Sequence, residues 1–370
     1  MTYNWQQKDW PEFKYDTGKD IEDALYAYSE ETAHMSGVLK VLPENIHIEA
    51  MINIMVAEAV KTSEIEGECL SRPDLMSSIR NNLGLNKEKE PVKDRKAGGA
   101  GELMVAVRNS FADVLTEQTL FAWHKMLLKQ NTRIRPGVWR SHKDPMQVIS
   151  GAAGKENIHF EAPSSAKVPG KMKRFIQWFN DTAPGGKKEM KNAPIRSAIA
   201  HLYFETIHPF EDGNGRIGRA IAEKALSQTV GRPILLSLSQ TIEADKKAYY
   251  KALGNAQKSN EVTGWINYFV SITLKAQLEA KALVDFTLKK ARFFDRHKAH
   301  LNNRQIKVIL RMMEEEPKEF EGGMTANKYI SITKASKATA TRDLQILAEL
   351  GVLETKGGGR STRYELNIGK

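Results

Sequence analysis

Apolar residues recur at intervals of three and four along most of the chain, which is the spacing of amphipathic α-helices. This spacing predicts a helix over residues 20–42, ended by Pro43, and a second over residues 44–66 with Gly67 as its C-cap. It predicts further helices over residues 98–114, 116–129, 168–180, 240–253 and 263–288, and one on each side of residues 208–215. The pattern therefore predicts a mainly α-helical protein.

Two stretches break this helical pattern. Short apolar runs at residues 146–149 and 158–160 flank a glycine-alanine turn at residues 151–154, which predicts a β-hairpin. Residues 86–96 are almost wholly charged and predict a surface loop. We interpret the glycine pairs at 98–99 and 185–186 as loops rather than as phosphate-binding turns.

Residues 291–370 predict a separate module. Helices over residues 303–313, 324–330 and 336–350 precede two short strands whose turn consists of glycines 357–359. Three helices followed by a glycine-tipped hairpin outline a winged helix. With a helical region over residues 1–95 and a core over residues 96–290, the chain is predicted to have three parts.

Composition excludes several classes of protein. A length of 370 residues suits two or three domains with buried cores. The single cysteine, Cys69, excludes a disulfide framework and indicates a reducing compartment. Residues 1–10 lack the apolar run of a signal peptide, and no segment reaches the roughly 18 apolar residues of a membrane span. We therefore predict a cytoplasmic protein with no membrane contact, whose net charge of +10 suits an anionic ligand or nucleic acid.

The most informative stretch is residues 208–219, His-Pro-Phe-Glu-Asp-Gly-Asn-Gly-Arg-Ile-Gly-Arg. A histidine can take up a proton near neutral pH, and arginines clamp phosphate oxygens. A glycine-rich turn that opens a helix presents free backbone N–H groups to an anion, and an aspartate can hold Mg²⁺ beside them. These residue types predict a phosphate-handling site with its own base.

Two other chemistries are disfavoured by the sequence. His201, Glu205 and His208 lie at helical spacing, but no further ligand cluster accompanies them as a zinc site would require. No Gly-x₄-Gly-Lys-(Ser/Thr) stretch occurs, which excludes the usual P-loop.

Residues 208–219 resemble, without departure, the signature of Fic-domain proteins, His-x-Phe-x-(Asp/Glu)-Gly-Asn-Gly-Arg-x-x-Arg. The resemblance extends over roughly residues 45–290, and it includes the hairpin, which is similar to the family's substrate-positioning flap. Fic domains typically transfer AMP from ATP to a hydroxyl of a target protein and release pyrophosphate. The resemblance thus implies a protein adenylyltransferase with a Fic-type helical core, ATP as substrate and Mg²⁺ as cofactor.

The resemblance also implies a role for each motif residue. His208 would be the general base for a Ser, Thr or Tyr hydroxyl, Asp212 would carry Mg²⁺, and Phe210 would anchor the loop. The glycine-rich turn would cradle the α-phosphate, while the two arginines would hold the β- and γ-phosphates. The implied nucleotide-binding residues are Gly213, Asn214, Gly215, Arg216, Ile217, Gly218, Arg219 and Tyr249.

A second element lies far upstream, where Thr62-x-x-x-Glu66-Gly67 matches the family's inhibitory motif. An acidic side chain at a helix C-terminus is unfavourable with respect to the dipole, which indicates that Glu66 has a partner. By resemblance that partner is Arg219, and pairing would prevent productive binding of ATP. Some relatives use this glutamate to position the water that removes AMP, so hydrolytic removal of AMP by the same enzyme stays open.

Other functions stay open at this point. The transferred group could be UMP, phosphate or phosphocholine, since the motif constrains the phosphate clamp better than the base pocket. Residues 327–363 contain seven basic and three acidic residues, which suits DNA as a partner of the winged helix, although such modules also dock proteins. A DNA-binding regulator with a nucleotide-sensing core is therefore the alternative from a different class. A homodimer is also compatible with the resemblance.

Overall fold

The structure is a computed structural model that describes residues 2–150, 157–313, 320 and 322–368. It divides into two compact units, Met1–Val41 with Met51–Ala280, and Leu42–Ala50 with Lys281–Lys370. The boundaries that we predict at residues 95 and 290 stay predictions.

Helices dominate both units, as the apolar spacing predicts. In chain order they are α1 (Lys19–Val41), α2 (Glu44–Ile65), α3 (Arg72–Asn82), α4 (Arg95–Asn109), α5 (Glu117–Leu128), α6 (Val168–Asp181), α7 (Ala193–Ile207), α8 (Asn214–Val230), α9 (Leu238–Ala244), α10 (Lys246–Ala256), α11 (Thr263–His297), α12 (Asn303–Met313), α13 (Ala326–Thr333) and α14 (Lys337–Glu349). The strands are β1 (Gln147–Ser150), β2 (Asn157–Glu161), β3 (Leu353–Lys356) and β4 (Arg363–Leu366), paired β1 with β2 and β3 with β4 in antiparallel register.

Helix α7 forms the centre of the first unit, and all of its residues are buried. A helix that is buried on every side has neighbours on every side, and α8 packs along it. The fully buried Arg196 satisfies its guanidinium by donating to the carbonyls of Phe179 on α6 (2.9 Å) and Ala225 on α8 (3.0 Å). This core holds the end of α7 and the start of α8, which flank the motif, in fixed positions.

The predicted hairpin is present, with Val148 on β1 opposite Phe160 on β2. The turn that we predict at residues 151–154 lies outside the described residues. Phe160 is 2% exposed, so one face of the hairpin is anchored in the unit's interior.

In the first unit two expectations are wrong and one helix was not expected. Helix α3 was not predicted, and the single helix expected over residues 240–253 is two helices that break at Asp245, whose carboxylate caps α10 through the N–H of Ala248 (3.0 Å). The glycine pair at 98–99 lies in α4, in agreement with the helix predicted over residues 98–114, and the interpretation of this pair as a loop is wrong. Gly99 is needed there because a Cβ would lie 2.2 Å from the backbone oxygen of Met126 on α5.

The second unit holds the three helices and the hairpin expected near the C-terminus. Buried Asp343 of α14 accepts hydrogen bonds from Tyr329 of α13 (2.8 Å) and Arg304 of α12 (2.9 Å), which ties the helices together. Helix α13 begins two residues later than predicted because Met324 pairs with Tyr364 in a β-bridge instead. Within the part of the chain that the structure describes, no helix has the length and apolarity to cross a membrane.

Candidate active site

His208 lies directly after α7, and its backbone is left-handed with φ 50° and ψ 61°. Residues other than glycine adopt this conformation only when their surroundings hold them there. Its N–H donates to the carbonyl of Phe204 (3.0 Å), and its own carbonyl accepts from Nε of the buried Arg140 (2.8 Å). The backbone thereby fixes the direction of the imidazole.

The imidazole of His208 is uncharged at neutral pH. Burial, reinforced by the charge of Arg140, lowers its pKa to about 4. Nδ1 lies 3.7 Å from Oε2 of Glu205, whose own pKa burial raises to about 8. A neutral imidazole has a free lone pair, so His208 is in the protonation state that a general base requires.

The loop between His208 and α8 is shaped by Phe210 and Asn214. Phe210 is fully buried and stacks on the ring of His124, with centroids 3.9 Å apart. The side chain of Asn214 accepts from the N–H of Phe210 (2.9 Å) and donates to its carbonyl (2.8 Å). The Asn214 amide therefore closes this loop.

Sequence reasoning missed His124 of α5. Its Nδ1 accepts from the N–H of Gly137 (2.8 Å), which leaves the proton on Nε2 to donate to the carbonyl of Asp212 (3.0 Å). This bond fixes the middle of the loop. His124 could have been identified from its place in the sequence, beside the core position Trp123. A buried histidine in an apolar stripe needs hydrogen-bond partners.

The N-terminus of α8 has the geometry that suits an anion. The helix begins at Asn214 after Gly213 (φ 82°), so the N–H groups of its first turn lack acceptors within the helix. Gly215 leaves room for the nearby carboxylate, because a Cβ would lie 2.2 Å from Oε1 of Glu66. The side chain of Ile217, by contrast, is buried in the core.

Arg219 contacts the last turn of α2. Its Nη2 donates to Oε1 of Glu66 (2.8 Å), and its Nε donates to Oγ1 of Thr62 (2.6 Å). Burial opposes ionisation of Glu66, but the charge and hydrogen bond of Arg219, together with the charge of Arg216, outweigh it and lower the pKa of this carboxyl. The structure therefore brings Thr62 and Glu66 of the predicted inhibitory motif together with Arg219, the second arginine of residues 208–219.

Arg216 is also paired, with a residue that the sequence did not single out. Its Nη1 lies 2.5 Å from Oε2 of Glu68, and its Nη2 lies 3.4 Å from Oδ1 of Asp212. Its Nε is buried with no hydrogen-bond partner among the described residues. Both arginines of the motif are thus held by carboxylates from residues 66–68.

Asp212 is the residue that suits Mg²⁺. Its carboxylate accepts from the N–H of Gly213 (2.6 Å) and is about half exposed, at 46%. No group of three or more His, Cys, Asp or Glu residues that could hold a metal occurs within the described ranges. One carboxylate still fits Mg²⁺, which usually combines one or two protein oxygens with water and phosphate oxygens.

A cavity of about 740 Å³ joins these groups. Its walls come from the motif, the hairpin and α10, and include Glu66, Glu205, His208, Gly215, Arg219, Val148, His159, Phe160, Tyr249, Tyr250, Gln257 and Lys258. The predicted Tyr249 is only 2% exposed, and its hydroxyl lies 2.8 Å from Nε2 of His201. The neighbouring Tyr250 is 42% exposed and offers more of its ring to a ligand. The volume is that of a small-molecule site.

Residues 114–226 match the model of the Fic/DOC family, and this range contains His208 and both motif arginines. The chain contains a Fic/DOC domain. Residues 3–85 match a second model, described as a domain of unknown function, DUF4172. The Fic/DOC match confirms the resemblance seen in the sequence.

Two curated relatives of this Fic-domain chain have names that state an enzymatic activity. One is a probable protein adenylyltransferase of Aquifex aeolicus, 27% identical over 99 residues that cover 27% of each protein. The other is the protein adenylyltransferase fic-1 of Caenorhabditis elegans, 30% identical over 95 residues that cover 25% of this chain and 17% of that protein. The matched stretches thus span less than a third of either relative.

Solved structures confirm the fold. A Fic family protein from Desulfovibrio desulfuricans G20 superposes with a TM-score of 0.55 at 19% identity, over 96% of this chain and 98% of that one. A Fic domain containing signaling protein from Bacteroides thetaiotaomicron gives 0.53 at 18% identity, over 72% of this chain and 97% of that one. The predicted Fic-type helical core is therefore correct.

Proposed function

We propose that this Fic-domain chain transfers AMP from ATP to the hydroxyl of a Ser, Thr or Tyr side chain on a target protein, and on itself. One observation carries the proposal. The neutral imidazole of His208 lines the same cavity as Gly215 at the start of α8 and the guanidinium of Arg219. A base, an anion site and a cationic clamp are the three parts that nucleotidyl transfer to a hydroxyl requires.

The chemistry follows from these positions. His208 takes the proton of the incoming hydroxyl while its oxygen forms a bond to the α-phosphorus of ATP. The bond from the α-phosphorus to the bridging oxygen breaks, and pyrophosphate leaves with the electron pair. The N–H groups at the start of α8 stabilise the α-phosphate, and Arg216 and Arg219 hold the leaving group. Mg²⁺ held by Asp212 would neutralise phosphate charge when bound.

The same contacts support autoinhibition. Arg219 donates to Glu66 and Arg216 pairs with Glu68, so neither guanidinium is free to hold pyrophosphate. A ligand that needs both arginines has to displace both carboxylates. We therefore propose that the chain rests in a low-activity state controlled by the end of α2.

The identity of the transferred group is tested by measuring the mass that each donor adds to the protein. Purified protein with Glu66→Gly is incubated separately with ATP, GTP, CTP, UTP and CDP-choline, each with Mg²⁺, and its intact mass is measured. We expect an added AMP with ATP alone. An added UMP, phosphate or phosphocholine would assign one of the alternative groups, and no addition with any donor would contradict the proposed activity.

A second candidate function concerns the C-terminal unit, which we propose is a winged helix that binds DNA. Helix α14 buries Ala340 and Leu344 in the core of this unit, and it exposes Lys337, Thr341 and Arg342 on the opposite side. Recognition helices contact base edges with residues near their N-terminus, and these residue types suit bases and phosphates.

DNA binding is tested by salt dependence. Replacing Lys337 and Arg342 with alanine should weaken binding to a fluorescent duplex and reduce the slope of log affinity against log salt by about 2. Lys307→Ala, an exposed lysine on α12, serves as the control for loss of charge. Equal binding by all three proteins would contradict DNA recognition through α14 and favour a protein partner.

A further inference from the structure

The N-terminal arm, residues 3–16, lies in the region of the chain that matches a domain of unknown function. It begins with one turn of 3-10 helix, Asn4–Gln6. Consecutive residues of this turn contact two parts of the first unit that are far apart in sequence, the strand β2 and the end of α10.

On the hairpin side, the arm completes a small hydrophobic core. The ring of Tyr3 meets the ring of Phe160 edge-on at 5.1 Å, and Nε1 of Trp5 donates to the carbonyl of Glu161 (2.8 Å). This core consists of Tyr3, Trp5, Met146, Val148, Phe160 and Ala162. A two-stranded hairpin is marginally stable by itself, so the arm supplies apolar contacts that β1 and β2 need.

On the other side, Asn4 caps the C-terminal end of α10. Its side chain is fully buried and donates to the carbonyl of Ala256 (3.1 Å), while its backbone N–H donates to the carbonyl of Gln257 (2.8 Å). Carbonyls at a helix C-terminus lack donor partners within the helix, and here the arm supplies the donors. Gln7 adds a bond to the carbonyl of Lys258 (3.2 Å).

Phe160 on one wall of the cavity contacts Tyr3, and Gln257 on another accepts a hydrogen bond from Asn4, so adjacent residues of the arm hold both walls. We propose that the arm sets the spacing between the hairpin and the end of α10, and that Asn4 and Trp5 are positioning residues for the ligands of this cavity. The contacts of the arm do not depend on the proposed function; only the expected effect on catalysis rests on it.

The rest of the arm has its own anchors. Trp10 is buried under Nζ of Lys171 (3.9 Å) and against the ring of Tyr203, and Lys14 exchanges backbone hydrogen bonds with Asn260 and Val262. Substitutions at Asn4 and Trp5 can therefore release the two walls while the arm stays attached.

The test compares Asn4→Ala and Trp5→Phe, which remove the side-chain donors to the carbonyls of Ala256 and Glu161, with Lys8→Ala, an exposed position on the same arm. We expect amide hydrogen exchange to become about tenfold faster in β2 after Trp5→Phe and at the end of α10 after Asn4→Ala, with α7 and α8 unchanged. Unchanged exchange, or the same acceleration throughout the chain, would overturn the proposal. This measurement needs no catalysis, so it stands even if AMP transfer is absent.

A kinetic readout tests the consequence for ligands. In a Glu66→Gly background, both variants should raise KM for ATP by about three- to tenfold with a smaller change in kcat, since the walls rather than the base are displaced. Lys8→Ala should leave both constants unchanged. If exchange rises locally but KM and kcat stay at their control values, Asn4 and Trp5 stabilise the fold without positioning a ligand.

Discussion

Glu66→Gly should raise the initial rate of AMP transfer by about ten- to hundredfold, measured as label moved from α-³²P-ATP to protein. The carboxylate of Glu66 accepts a hydrogen bond from Arg219 at 2.8 Å, and the guanidinium is only 2% exposed. ATP has to break this charged contact before Arg219 can hold its terminal phosphates. Removing the carboxylate removes that cost, while Thr62 still orients the guanidinium through Nε.

Glu64→Gly is the matched control, since it makes the same chemical change two residues earlier on α2. Its carboxylate pairs with Lys61 at 2.6 Å and has no contact with the motif. We expect its transfer rate to equal that of the parent protein. An unchanged or lower rate in Glu66→Gly, or an equal increase in both variants, would show that the Glu66–Arg219 contact does not restrain the enzyme.

His208→Ala should reduce transfer by about a hundred- to ten-thousandfold in the same background, the range found for loss of a general base. Binding of ATP should persist, because the anion site and the arginines are unchanged. In the parent site the lowered pKa, about 4, keeps His208 deprotonated at neutral pH. The rate should therefore resist acidification and fall only as the pH approaches that value and the imidazole becomes protonated.

His34→Ala, at an exposed position of α1, is the control for removal of a histidine. Label transfer and equilibrium binding of ATP are measured in parallel for both variants. If His208→Ala keeps the rate of its parent, the imidazole is not the base. A chain that then retains its cellular function would fit the regulator that senses nucleotide rather than the transferase.

The fold was predictable wherever the apolar spacing was strong. Helix α3 was not predicted because it has few buried apolar residues, Leu75 and Ile79. Ser71 and Pro73 are nevertheless typical of a helix start. The break between α9 and α10 was not predicted because a single polar residue, Asp245, interrupts an otherwise continuous helical spacing of apolar residues. In both places a local capping group, rather than periodicity, sets the helix boundaries.

The site was predictable where its residues are adjacent in sequence or belong to a spaced motif, as with Glu66 and Arg219. Its supporting residues were not, because nothing in the local sequence links them to the motif. Arg140 holds the carbonyl of His208, and Glu68 pairs with Arg216 across 148 residues. Such contacts depend on how the helices pack, which the spacing of apolar residues does not determine.

The complete burial of α7 has a consequence for how mutations in this protein are interpreted. Changes of volume at Ala198 or Leu202 would leave a void or a clash in a close-packed interior, and would displace the residue at the end of the helix. In a library of random substitutions these positions should be about as intolerant as His208 itself. Intolerance along α7 therefore measures packing, and it cannot be used to count the residues that take part in the chemistry.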